Sequence, residues 1–248
     1  MTKSEHLKCL AITLDPNGER YKTFLKNNEH LQPEHFRGVI GKDLQISEII
    51  RQSLATKELC HSTFFKYGMM GNAASHRAIW RDVEAQKTPY LVLEDDCYTH
   101  PKITNFINKH IDSLKTMDIC LFGINLDSVL CDVSPTGLKS ARLFSPEQPY
   151  HNWIMNAFEQ TKITNVEFHR LAKAFGIPAY FITPKGAKKL LKQIFPLSLD
   201  TSNIPLINPK MPSSSIDRSA CRIYPTIEAY ICQPFLAFTP NSNSSTNT

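Results

Sequence analysis

This sequence of 248 residues lacks cysteine motifs, long apolar runs and clusters of basic and aromatic residues. Its seven cysteines are odd in number, and none of them forms a CxxC pair. A disulfide framework uses paired cysteines and a cysteine zinc site uses closely spaced ones, so neither is expected. We expect reduced thiols, which are typical of cytosolic proteins.

Membrane-spanning and secretory segments are also missing from the pattern. No apolar run reaches the roughly 18 residues that span a bilayer. The first apolar run, at 7–14, is too short and wrongly flanked for a signal peptide. We expect a cytoplasmic protein whose membrane contact, if any, is peripheral and at the inner face. The tail at 241–248 contains only Asn, Ser and Thr, so it has nothing apolar to bury and is predicted to be disordered.

The charge balance is mildly basic. Lys and Arg number 28 against 23 Asp and Glu, which gives a formal net charge of +5. The basic residues are scattered and are not interleaved with aromatic side chains as in a base-stacking surface. Nucleic acid is therefore not an expected partner, whereas phosphorylated ligands or an anionic membrane surface suit the charge.

Apolar runs of strand length alternate with helical patterns along the chain. Strands are predicted at 7–14, 39–40, 90–93, 119–124 and 179–183. Helices are predicted at 19–27, 46–54, 73–85, 103–114 and 185–194, with Asn72 as a helix cap. This order predicts one α/β domain over 1–240, with a mostly parallel central sheet flanked by helices. The weak pattern at 127–178 is interpreted as a lid or acceptor-binding insertion.

A triplet of acids, Glu94-Asp95-Asp96, directly follows the apolar strand predicted at 90–93. Ligands of parallel sheets bind at the carboxyl ends of the strands. Side chains alternate in an extended segment, so Glu94 and Asp96 are expected on one side and Asp95 on the other. Two carboxylates can bind Mn²⁺ or Mg²⁺ and leave ligand positions for a diphosphate. A solvated turn after a strand is the alternative, and the triplet alone does not decide.

Blocks around the triplet resemble a known family. The sequence Gly71-x-x-x-Ser75-His76-x-x-x-Trp80 precedes the block at 89–96 by a short spacer. Further matching segments are Ile12-Thr-Leu-Asp15 with Glu19-Arg20, the stretch 179–191, and Ser215-Ile-Asp217. In type and order these blocks resemble glycosyltransferase family 25, which includes bacterial lipooligosaccharide galactosyltransferases and collagen galactosyltransferases.

The resemblance implies a GT-A-type fold and a metal-dependent, inverting glycosyltransferase. The implied donor is a UDP-sugar, with galactose or glucose as the hexose, and the implied acceptor is a glycan such as lipooligosaccharide. Glu94 and Asp96 are the predicted ligands of Mn²⁺ or Mg²⁺. Asp217 is the predicted base for the acceptor hydroxyl, with Glu228 as the alternative. The residues predicted to bind the donor are Leu14, Asp15, Arg20, Ser75, His76 and Asp95.

Departures from the family pattern leave a second function open. The loop at 38–43 replaces the usual Asp-Gly dipeptide, and Asn72 lies where many relatives have a polar Glu beside the glycine. A non-catalytic nucleotide- or glycan-binding protein is therefore the alternative. A nucleotidyltransferase would show a Gly-rich loop near the first strand, where only Gly18 is present. A nucleophilic pair of Ser75 and His76 is not expected, because adjacent helix residues do not face each other.

Overall fold

Strands and helices alternate through most of the chain. The computed structural model describes residues 7–144, 150–203 and 210–240. The predicted tail at 241–248 lies outside these residues. None of the helices described is long and apolar enough to cross a membrane.

The described residues form thirteen strands, nine α-helices and three short 3₁₀-helices. The strands are β1 (Lys8–Thr13), β2 (Glu34–Arg37), β3 (Tyr90–Glu94), β4 (Tyr98–Thr99), β5 (Ile119–Leu121), β6 (Val129–Val133), β7 (Lys139–Leu143), β8 (Glu167–Lys173), β9 (Ala179–Ile182), β10 (Thr201–Asn203), β11 (Lys210–Pro212), β12 (Ala229–Gln233) and β13 (Ala237–Phe238). The α-helices are α1 (Glu19–Asn27), α2 (Ile46–Arg51), α3 (Lys57–Cys60), α4 (Tyr67–Gln86), α5 (Ile103–Lys109), α6 (Ile111–Thr116), α7 (His151–Gln160), α8 (Pro184–Ile194) and α9 (Ile216–Ile223). The 3₁₀-helices are Gly41–Asp43, Ile163–Asn165 and Tyr224–Thr226.

One mixed sheet of nine strands organises the part of the chain described, in the order β2-β1-β3-β9-β5-β12-β8-β6-β7. The α/β class and the helix-flanked central sheet are confirmed, but the expectation of a mostly parallel sheet is wrong. The pairs β2–β1, β1–β3 and β5–β12 are parallel, whereas β9 runs antiparallel between β3 and β5, and the remaining pairs are antiparallel. Because β9 is buried on both faces like a parallel strand, its hydropathy reports burial and not direction.

The side chains of β3 alternate between two layers of the core. Tyr90 and Val92 pack in the layer that contains α4, α8 and α9, whereas Leu91 and Leu93 pack with α1, α5 and α6. All four are at most 2% exposed, and each contributes roughly 1.5–3 kcal/mol of hydrophobic stabilisation. Glu94 continues the alternation toward α4. The strand thus directs its last side chain to the α4 side of the sheet.

Several element boundaries differ from the predicted ones. The bounds of α1 are confirmed, but the strand predicted at 39–40 is wrong, and the second strand lies at Glu34–Arg37. Helix α4 begins at Tyr67, so Asn72 lies within the helix and does not cap it. Packing of α4 against α8 overrides the weak helix propensity of the early glycines. The helix predicted at 103–114 is two helices that meet at His110.

Residues 127–178 supply β6, β7, α7 and β8, and these strands form one end of the central sheet. Most side chains of β7 and β8 are partly exposed, so they produce no continuous apolar run. This exposure explains the weak sequence pattern. A role of this region as a lid or acceptor-binding insertion stays a prediction.

Two glycines allow the loop after β2 to lie directly on α4. A Cβ atom at Gly71 would lie 2.5 Å from the carbonyl oxygen of Val39, and one at Gly41 would overlap the carbonyl oxygen of Tyr67. The loop is also bonded to β1, because the Gly38 amide donates to the Thr13 carbonyl at 2.8 Å. The loop is therefore held between the end of β1 and the first turns of α4.

Replacing Gly71 by alanine should destabilise the fold. Helix propensity alone would predict a gain of about 1 kcal/mol, since glycine is a poor helix former. The close approach of the loop predicts instead a loss of about 1–3 kcal/mol from overpacking. Denaturant unfolding measures whether Gly71→Ala raises or lowers the free energy of unfolding. Gly38→Ala is the matched control, because its Cβ would first meet the end of the flexible Leu14 side chain, at 3.0 Å. A stabilised Gly71→Ala variant would contradict the packing of this loop on α4.

Candidate functional site

A cavity of about 730 Å³ opens at the carboxyl ends of β1 and β3. Its walls include these strand ends, the loop after β2, one side of α4 and the start of α9. Ligands of α/β sheets bind at this end of the strands, and the volume suits a small-molecule ligand. The predicted site residues that line it are Leu14, Arg20, Ser75, Glu94, Asp95, Asp96 and Asp217.

The three acids lie on a turn and not on a continuing strand. β3 ends at Glu94, and the Cys97 amide donates back to the Glu94 carbonyl at 3.1 Å. Arg20 of α1 binds both aspartates, with Nε 2.7 Å from Asp95 Oδ1 and Nη2 3.1 Å from Asp96 Oδ2. The expected separation of Asp95 from Asp96 is therefore wrong, because extended geometry stops at Glu94.

One carboxylate oxygen of Asp96 is buried without a hydrogen-bond partner among the described residues. This oxygen is Oδ1, whereas Oδ2 faces Arg20. Burial, together with the neighbouring Glu94 charge, raises the pKa of Asp96 to about 7, although Arg20 opposes the shift. Burial also raises the pKa of Asp95 despite the same guanidinium. A buried carboxylate oxygen without a partner is unfavourable, and a bound cation would compensate it.

Glu94 is held by two side chains of α4. Its Oε1 accepts a hydrogen bond from Asn72 Nδ2 at 3.0 Å and lies 3.3 Å from His76 Nε2. Burial raises the pKa of Glu94, but these hydrogen bonds outweigh burial and hold the pKa below its usual value. His76 is fully buried and lies behind Glu94, away from the cavity lining. Its predicted effect on the donor would therefore act through Glu94.

Ser75 lines the cavity, but its hydroxyl is already bonded. It donates to the Gly71 carbonyl at 2.7 Å and accepts from the Val39 amide at 2.8 Å. Ser75 thus fastens the loop after β2 to α4, and its proton is not directed at a base. Leu14 follows β1 and is 41% exposed, so it presents apolar surface to the cavity.

Asp217 lies in the first turn of α9. Its Oδ1 accepts from the Ser215 hydroxyl and from the Arg218 amide, the latter at 2.9 Å. Its Oδ2 accepts from the Gly176 amide at 3.1 Å. A carboxylate oxygen has two lone pairs, so Oδ2 keeps one for a ligand in the cavity.

Glu228, the alternative base, lies at the opposite end of the parallel strands from the cavity. It immediately precedes β12, and its backbone carbonyl accepts from the Asp118 amide beside the first residue of β5. Its carboxylate pairs with Arg170. The amino ends of the parallel strands are remote from the cavity, so this assignment is wrong.

Asp15 is exposed and lies outside the cavity lining. Its Oδ1 accepts from the Asn17 amide at 2.9 Å, which stabilises the turn after β1. Its predicted donor contact stays a prediction. The polar lining residues that were not predicted as site residues are Thr13, Lys42, Asn72, Asn125, Asp127, Ser128, Ser215 and Arg218. The spacing of Asn72 and His76, four residues apart on one helix face, is a signal that could have found Asn72.

Negative charge exceeds positive charge on the cavity wall. Among the described residues, the acidic lining residues are Glu94, Asp95, Asp96, Asp127 and Asp217, and the basic ones are Arg20, Lys42 and Arg218. Full ionisation leaves an excess of two negative charges, which opposes a diphosphate unless a cation joins it. Within the described part of the chain, no group of three or more His, Cys, Asp or Glu side chains is placed to hold a metal ion.

Replacing Asp96 by asparagine should stabilise the fold above neutral pH. The folded protein holds this proton with a pKa of about 7, against an ordinary value of 3.8. The stabilising contribution of the group is therefore full below about pH 4 and is lost as pH rises through about 7. Asp96→Asn removes that loss. The free energy of unfolding should therefore rise by an amount on the order of 1–3 kcal/mol near pH 8 and by almost nothing near pH 4.

Denaturant unfolding of both proteins across this pH range measures the difference. Asp127→Asn is the control, because Asp127 is an exposed carboxylate of the same cavity and should show no comparable gain. Equal stability of wild type and Asp96→Asn at every pH would contradict the burial of an uncompensated charge at Asp96.

Comparison with known proteins identifies the family. Residues 6–203 match glycosyltransferase family 25, described as LPS biosynthesis proteins. No curated protein matches the chain. The matched range contains β1, the loop after β2, α4 and the acidic turn, while the start of α9 lies beyond it. Since the match covers well over half of the sequence, the chain belongs to glycosyltransferase family 25.

Proposed function

We propose that this protein transfers a hexose, galactose or glucose, from a UDP-sugar to a glycan acceptor such as lipooligosaccharide, with inversion at the anomeric carbon. One observation carries the proposal: a cavity at the strand ends is lined by the acidic turn, Arg20 and Asp217 together. Family membership supports glycosyl transfer between a nucleotide-sugar and a glycan. The GT-A type of the fold belongs to the same proposal.

The acidic turn has the properties of a site for Mn²⁺ or Mg²⁺. Asp96 has a buried oxygen without a partner among the described residues, and the cavity wall has surplus negative charge. Glu94 and Asp96 would hold the ion, with water and substrate as the further ligands. When bound, the ion supplies positive charge against the diphosphate that leaves with the uridine. Arg20 fixes Asp95 and Asp96 relative to each other.

Inversion follows from a single in-line displacement. The acceptor oxygen bonds to the anomeric carbon while the bond from that carbon to the diphosphate oxygen breaks, and the electron pair leaves with UDP. The acceptor proton passes to a base. Asp217 is the proposed base, because it lines the cavity and its Oδ2 accepts one hydrogen bond, while Ser215 and two backbone amides orient the carboxylate.

A panel of UDP-, GDP- and CMP-sugars should show turnover of a UDP-hexose with Mn²⁺ and loss of that turnover in EDTA. Mass spectrometry of the products measures it. Asp96→Ala should lower turnover by about 10²-fold or more while a thermal unfolding transition shows that it is folded. Full activity in EDTA would contradict the metal role. Calorimetric binding of UDP without turnover on a broad acceptor array would favour the non-catalytic binding protein.

Asp217→Asn should lower kcat by about 10²–10⁴, since the acceptor hydroxyl loses its base. Initial rates at saturating donor and acceptor measure the change. Asp127→Asn is the matched control, because it removes another carboxylate of the same cavity and should change kcat only a few-fold. If both variants change kcat only a few-fold, the base is another residue.

A further inference from the structure

A chain of hydrogen bonds between buried side chains lies behind Glu94. Trp80 Nε1 donates to the Tyr180 hydroxyl at 2.9 Å, and that hydroxyl lies 2.7 Å from His76 Nδ1. His76 Nε2 then lies 3.3 Å from Glu94 Oε1. Trp80, Tyr180 and His76 are at most 1% exposed. The chain therefore runs from the core to the cavity wall and first meets the cavity at Glu94.

The donors and acceptors define the direction of this chain. The indole N–H of Trp80 can only donate, so the Tyr180 oxygen accepts from it. The hydroxyl hydrogen of Tyr180 then has His76 Nδ1 as its acceptor. His76 consequently carries its own hydrogen on Nε2 and donates it to Glu94. Each buried donor in the chain has an acceptor in this arrangement, which any other tautomer of His76 would disrupt.

Two separate segments of the fold contribute these side chains. Asn72, His76 and Trp80 are spaced four residues apart and lie on one face of α4. Tyr180 lies on β9, where it pairs with Val92 of β3, two residues before Glu94. The block at 71–80 and the block at 179–191 thus meet at the strand that carries the acidic turn. The hydrogen bonds need only that α4 keeps its place against the sheet.

We propose that His76 and Tyr180 are positioning residues for the Glu94 carboxylate. The inference rests on the proposed function, because Glu94 is one of the two carboxylates that would hold the cation. The bonds from Asn72 and His76 both end on Oε1, so Oε2 is the oxygen that remains for a ligand. Side chains that orient a ligating group in this way determine where its free oxygen lies.

The Tyr180 hydroxyl is the second of the two groups that fix the His76 ring, opposite Glu94. With the hydroxyl present, Nδ1 accepts and Nε2 donates to the carboxylate. Without it, Nε2 still donates to the carboxylate, but Nδ1 has no partner and the ring is fixed at one nitrogen only. A tyrosine that never enters the cavity thereby helps to orient a carboxylate on its wall.

Tyr180→Phe should weaken the functional site while preserving the core shape. We expect about a 10–100-fold loss of apparent Mn²⁺ affinity, measured by activation and by the thermal shift that Mn²⁺ induces. Tyr224→Phe is the matched control, because Tyr224 is also fully buried and its hydroxyl has no hydrogen-bond partner within the described residues. Equal losses in both variants, or none in Tyr180→Phe, would overturn the proposal.

A second pair of variants tests His76 by rescue. His76→Gln keeps an N–H donor near the position of Nε2, whereas His76→Leu removes it. His76→Gln should recover most of the Mn²⁺ affinity that His76→Leu loses. Equal loss in both variants, with both folded, would mean that His76 only fills space.

Nitrogen-15 NMR of the histidine side chains gives a readout that does not depend on activity. The His76 resonances, assigned by their absence in His76→Gln, should show Nε2–H in wild type, and the Nδ1 resonance should shift in Tyr180→Phe because Nδ1 loses its hydrogen-bond donor. A hydrogen on Nδ1 in wild type would overturn the proposal even in an active enzyme. A wild-type protein without turnover on any donor would reject the proposed function, whereas the tautomer would still decide the positioning role.

Discussion

Repulsion among three adjacent carboxylates at the end of β3 is the constraint to which the surrounding structure responds. The acids are compensated in two ways: hydrogen bonds from α4 bind Glu94, and one guanidinium from α1 binds both Asp95 and Asp96. The compensation is incomplete, because Asp96 keeps a buried oxygen without a partner among the described residues. A cluster of acids that lowers the stability of the fold in this way is typical of a functional site.

The two-sided burial of β3 explains how these compensating groups reach the same turn. Helix α1 packs in one core layer and α4 in the other, so Arg20 and His76 approach the acidic turn from opposite faces of the sheet. Tyr180 arrives from β9, the antiparallel neighbour of β3. A strand exposed on one face could not receive partners from both layers. The burial of β3 on both faces therefore determines which charged and polar groups reach the turn.

Family membership assigns the chain glycosyl transfer from a nucleotide-sugar to a glycan, and the structure relates this to single residues of the block at 71–80. Gly71 and Ser75 hold the loop after β2 against α4, and His76 with Trp80 belongs to the chain behind Glu94. The block thus supports two walls of one cavity. Further parts of the cavity wall come from other segments, which include the less regular stretch near 125–129.

Local pattern alone is enough to locate the buried strands β1, β3 and β9, the bounds of α1, and the acids at the end of an apolar strand. These properties depend on hydropathy and on spacing between near neighbours. The family is recognised separately, from the resemblance of whole sequence blocks to known members. The folded chain was needed to establish the direction of β9, the sharing of Arg20 by Asp95 and Asp96, the place of His76 behind Glu94, and the distance of Glu228 from the cavity. The reason is physical: each of these depends on contacts between distant residues, such as His76 and Tyr180, 104 positions apart. A local pattern carries no information about which distant side chain completes a hydrogen bond.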